Sequence, residues 1–104
     1  MNPTLAVYEP PLSQDYLAHR DIWKCGQRPL APFMRGFAFE QDGLILIPLI
    51  VAEREGCGDV GRFLDRLSSR CRIVTVTSTR LAGMLVRRGW KKHDHDEFGD
   101  MWER

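Results

Sequence analysis

The chain has 104 residues, 43% of them hydrophobic and 28% charged, and a net charge of +1. That length holds one domain with its own core, read here as a single unit over residues 1–104, and leaves no room for a second. The composition is ordinary for a soluble globular protein, and no apolar run reaches the ~18 residues that a membrane-crossing helix needs.

Residues 5–8 are a short candidate strand, stopped by Pro10 and Pro11. Ser13 is placed to cap a helix over residues 14–24, ended by Gly26, with Tyr16, Arg20 and Trp23 on one face. Residues 27–32 carry two prolines and read as a loop. Residues 33–39 alternate, with Phe33, Arg35, Phe37 and Phe39 on one side and Met34, Gly36 and Ala38 on the other. Asp42-Gly43 is a tight hairpin turn, so residues 44–51 return antiparallel. Their unbroken apolar character predicts burial on both faces. Pro48 cannot donate to a ladder, so the strand needs an edge, a bulge or a splay at that point.

A glycine-punctuated loop over residues 56–61 follows, then an amphipathic helix over 62–70 and a β-branched strand over 72–77. Ser78 or Thr79 caps a second helix over 80–88, with Leu81, Met84 and Leu85 turned inward and Gly89 as its stop. The tail, 91–104, is polar with Phe98, Met101 and Trp102 as anchors, and Gly99 divides it into a hairpin. Strand, helix, strand at this spacing is a βαβ unit with parallel strands and a right-handed crossover. Small anions bind such units where the first loop meets its helix.

Gly56-x-Gly58-x-x-Gly61 matches the dinucleotide fingerprint literally. Two features count against that fold: no acid follows at the ribose-binding distance, and the chain has no residues left for a third parallel strand. The run from Val51 to Trp90 instead resembles the GNAT acyltransferase superfamily, whose acyl-CoA loop reads Val-x-Pro-x-x-Arg-Gly-x-Gly-Ile-Gly-x-x-Leu. Val51, Val60, Gly61 and Leu64 take the matching places, and Arg87-Arg88-Gly89-Trp90 is similar to the family's basic-x-Gly-Phe ending. Ser78 stands where many members carry asparagine. The short length is similar to the small GNAT-like proteins of tailed phages.

The resemblance implies an α/β mixed sheet with a GNAT-like core: an antiparallel N-terminal arm, a central parallel βαβ unit and a C-terminal hairpin. It implies that acetyl-CoA, or another acyl-CoA, threads between the two parallel strands. Ile50, Val51 and Ala52 would hold the pantetheine arm, and Gly58 with the amides of Val60, Gly61 and Arg62 the pyrophosphate. Glu53 would deprotonate an amine, directly or through water, for direct transfer; read without the family, it is half of a surface ion pair with Arg54. Ser78 is a candidate proton donor.

The chain departs from the family pattern at Gly56 for arginine, Asp59 for glycine and Leu85 for the usual tyrosine. Asp59 at a helix start would cap the free amides and repel phosphate. These departures motivate the alternative of a non-catalytic GNAT-like scaffold that binds a protein partner in a phage or prophage setting.

Between Gly61 and Lys92, seven arginines and two lysines face the single acid Asp65, a local sum of +8. That block makes a nucleic-acid-binding module a third reading, disfavoured by the absence of helix-turn-helix spacing and stacking aromatics. Two histidines, His93 and His95, share a strand face, but no third metal ligand is assignable, and no metal is expected. Cys57, in the glycine loop, is weighed as a nucleophile and lacks an assignable histidine; Cys25 and Cys71 read as buried small hydrophobes. The odd cysteine count and the lack of a secretory layout at Met1-Asn2-Pro3 favour a reducing cytoplasm, the host's if the protein is phage-encoded.

Overall fold

The computed structural model describes residues 8–12 and 28–104. Strands β1 (Arg28–Ala31), β2 (Met34–Gln41) and β3 (Leu44–Ala52) form an antiparallel arm. Helix α1 (Asp59–Arg66) crosses to β4 (Cys71–Val74), which runs parallel to β3. Helix α2 (Thr79–Arg87) leads to a closing hairpin, β5 (Lys91–His95) and β6 (Gly99–Glu103). The six strands make one mixed sheet in the order β1-β2-β3-β4-β6-β5. Antiparallel ends and a parallel centre are the arrangement expected above. The predicted helix over 14–24 and Cys25 lie outside the described residues, as does all but the end of the strand at 5–8.

The β2–β3 turn has Asp42 at φ 55° and Gly43 at φ 80°, both left-handed, as the hairpin chemistry of Asp-Gly requires. Side chains then sort onto two faces. Met34, Ala38, Ile45, Ile47 and Ile73 meet Phe63, Leu64, Leu67 and Leu85 of the helical layer, while Phe37, Phe39, Leu46 and Val74 cluster on the other face. Fully burying each such side chain contributes about 1.5–3 kcal/mol.

Pro48 sits in a β-bulge. Phe37 pairs with Leu49 and Phe39 with Leu46, so two residues of β3 stand opposite one of β2. The extra residue shifts the alternation of β3 by one. Ile45 and Ile47 face the helices before the bulge, and Ile50 and Ala52 face them after it. Pro48 occupies the position at which the ladder is already interrupted, so its missing N–H breaks no regular bond.

Four boundaries differ from expectation. The loop over 27–32 contains β1; Pro29 is tolerated because β1 ends the order of described strands. Phe33 lies in the β1–β2 turn at φ 63° and not in the strand. α1 begins at Asp59 and ends at Arg66, four residues short of the prediction. Leu67 turns extended there because Tyr8 bridges to it: the Tyr8 amide donates to the Arg66 carbonyl at 2.7 Å, and the Ser68 amide to the Tyr8 carbonyl at 3.0 Å. The Arg104 guanidinium also reaches back to the carbonyls of Leu64, Asp65 and Leu67, satisfying the end of the helix. The fourth difference is β4, which stops at Val74 and not at Thr77. Among the described residues, no helix is long and apolar enough to cross a membrane.

Candidate functional site

The shortening of β4 opens the site. β3 and β4 pair only at Ile45–Cys71, Leu46–Arg72 and Ile47–Ile73. Beyond that rung β3 continues to Ala52, while Thr75 turns away at φ 57°. A β-branched residue in the left-handed region is a true outlier. The two strands part into a cleft of ≈ 80 Å³, with Pro48, Leu49 and Ile50 on one bank, Thr75, Val76, Thr77 and Ser78 on the other, and Leu81 of α2 among the lining side chains. β3 past Pro48 keeps its pairing with β2 and, among the described residues, has no strand partner on the β4 side.

The outward turn is held by β6. The Thr75 amide donates to the Asp100 carbonyl at 3.4 Å and the Val76 amide to Asp100 Oδ1 at 3.2 Å. Asp100 Oδ2 accepts from the Trp102 indole N–H at 2.7 Å. Asp100 is absent from the sequence-based site. Nothing in its local sequence distinguishes it from a solvated hairpin acid, because the Val76 amide that its carboxylate holds lies 24 residues away in the chain.

Beyond the cleft, β3 runs through residues 53–58 into α1. Gly58, at φ 76°, is the N-cap, and no side chain caps this end. Arg62 N–H makes the first helical bond, to the Gly58 carbonyl at 3.1 Å. It is therefore engaged, and only the amides of Asp59, Val60 and Gly61 precede the hydrogen-bonded ladder. Asp59 does not cap them. Its carboxylate takes Arg54 Nε at 2.8 Å and Arg54 Nη2 at 3.1 Å, and Arg62 Nη2 at 2.6 Å. The Arg54 hydrogen bond and then the Arg62 one hold the Asp59 carboxyl below its usual range. Arg54 also stacks on the Phe33 ring, 3.7 Å from its centroid. The hairpin tip, the glycine loop and the start of α1 are thus stapled together around one buried acid. A second recess of ≈ 230 Å³ is lined by Tyr8, Phe33 and Arg66 together with Asp59, Arg62 and Phe63 of α1.

The sequence-predicted residues fall into three groups. Ile50 and Ser78 line the cleft; Val51 and Ala52 continue β3 beyond it. Gly58, Val60, Gly61 and Arg62 stand together at the start of α1. Glu53 sits apart, paired with Arg35 at 3.0 Å and not with Arg54. The Ser78 hydroxyl oxygen accepts from the Leu81 amide at 3.2 Å as the N-cap of α2, which leaves its hydrogen available to donate. Leu85, which the resemblance set opposite a tyrosine, is fully buried in the core.

The remaining candidates have other partners. His93 Nε2 meets Glu103 at 2.8 Å, and His95 Nδ1 accepts from the amides of Glu97 and Phe98. Cys57 is exposed and Cys71 buried, where burial raises its thiol pKa. Among the described residues no group of three or more side chains is arranged to hold a metal ion. Comparison with protein-family models, curated proteins and solved structures finds no match to this chain.

Proposed function

We propose that the protein binds an acyl-CoA across the β3–β4 cleft and passes its acyl group to an amine by direct attack. The observation that carries this reading is the parting of β3 and β4 after Ile47–Ile73, on a strand that leads on into a helix start with no side-chain cap. A pantetheine arm is an extended chain with two amides, and the unpaired edge of β3 at Ile50, Val51 and Ala52 offers it strand-like partners. The amides of Val60 and Gly61 suit a pyrophosphate at the positive end of α1. Asp59 repels it less than its charge implies, because Arg54 and Arg62 both neutralise the carboxylate.

In the transfer, Glu53 takes a proton from the incoming ammonium, directly or through water, after loosening its exposed pair with Arg35. The amine nitrogen attacks the thioester carbonyl, gives up its second proton to solvent as the C–S bond breaks, and the thiolate is met by a hydrogen bond from Ser78 before solvent protonates it.

A second reading is a scaffold of the same shape that does not catalyse and binds a protein partner. It is favoured by Leu85, whose buried place leaves no side chain to protonate the thiolate from α2. A melting experiment with acetyl-CoA, followed by an assay with small amines, decides between them. Bound ligand at one hundred times its dissociation constant adds about 2.7 kcal/mol. Binding with turnover supports the enzyme, binding without turnover supports the scaffold, and no shift at millimolar acetyl-CoA overturns acyl-CoA binding.

A further inference from the structure

We infer that Asp100 is the positioning residue that keeps the acyl-CoA cleft open, so that the cleft is a built feature and not a frayed strand end. The inference rests on the reading of the cleft as the ligand site and adds the residue that controls it.

Residues 75–77 are Thr-Val-Thr, a sequence that favours continued strand. Beside them β3 runs on to Ala52 with its β4-side edge unused. Extending the parallel ladder would be the default. Pro48 has no N–H to offer, and Leu49 and Val51 turn theirs to β2 as Glu53 does to the Phe33 carbonyl, but Ile50 keeps its own on that edge. Something must therefore hold residues 75–77 away from β3, and against the strain of Thr75 at φ 57°.

Asp100 is the group in place to do it. Its Oδ1 takes the Val76 amide, the donor that a continued β4 would turn to β3, while its carbonyl takes the Thr75 amide in continuation of the β4–β6 pairing. Its Oδ2 is fixed by the Trp102 indole, and Trp102 is itself anchored in the core. Thr75 Oγ1 adds a contact to the Phe98 carbonyl at 3.5 Å. Both carboxylate oxygens are thus used, one on the chain that must be diverted and one on an immobile side chain. A hydrogen bond to a charged acceptor is stronger than the neutral amide–carbonyl bond it replaces.

The test uses amide hydrogen exchange and the binding of acetyl-CoA. In the unmutated protein the Val76 amide should exchange slowly although it belongs to no ladder. Asp100→Ala removes both accepting oxygens and leaves the backbone carbonyl in place. It should free the Val76 amide, bring residues 75–77 against Leu49 in cross-strand NMR contacts, and weaken acetyl-CoA about tenfold or more. Trp102→Phe removes only the indole partner and should shift these readouts less than Asp100→Ala does.

A Val76 amide that exchanges freely in the unmutated protein overturns the inference, as does an Asp100→Ala protein whose cleft and affinity are unchanged. If the unmutated protein does not bind acetyl-CoA, the functional reading fails, while the exchange and cross-strand measurements still decide the role of Asp100.

Discussion

At the scale of single residues, the decisive side chain is Asp59. An acid in the first turn of a helix is expected to turn onto the free amides. Here the left-handed turns at Gly56 and Gly58 accompany a different outcome, in which Arg54 and Arg62 reach the carboxylate from either side. Both arginines are near in sequence, so the partners were legible and the choice between them and the amides was not. Because the folded carboxyl is held below its unfolded value of 3.8, the stability it contributes is fully present above that pH and is lost as pH falls through the lower, folded value. Chemical denaturation between pH 5 and pH 2 should therefore show an acid-dependent loss that is smaller in Asp59→Asn. Equal acid sensitivity in the two proteins would mean that the clamp does not hold in solution.

At the scale of elements, the hairpin, the crossover and α2 followed from the sequence because each carries its own signal. Asp42-Gly43 makes the turn, Ser78 caps α2, and Gly89 at φ 80° ends it. What did not follow was set by contacts between distant segments. Tyr8 ends α1 at Leu67, and Asp100 ends β4 at Val74, against a local β-propensity that runs on to Thr77. The bulge at Pro48 was foreseen as one of three options, and its consequence, the phase shift that turns Ile50 inward, needed the register. Gly36 reports on that same region. A Cβ there would fall against the Leu49 carbonyl, a backbone atom that cannot swing aside. Gly36→Ala should cost about 1–3 kcal/mol in urea unfolding, and a change within experimental error would show that β2 does not approach the bulge this closely.

At the scale of the whole molecule, part of the basic block of the sequence is taken up in ion pairs. Arg70 is bound by Glu9 and Glu40, Arg72 by Glu103, Arg88 by Asp65 and Arg62 by Asp59. These pairs tie the first described residues, the arm, the helices and the closing hairpin to one another, which is why a count of arginines suggested an anionic partner more strongly than the folded surface does. The feature that remains for a ligand is the opening between β3 and β4 together with the start of α1. The most direct measurement is an NMR titration of the protein with acetyl-CoA. The account predicts that shifts concentrate at Ile50, Val60, Gly61, Thr77 and Ser78, with the β5–β6 turn unaffected. No perturbation at millimolar ligand, or perturbation confined to the recess beside Tyr8 and Phe33, would contradict it.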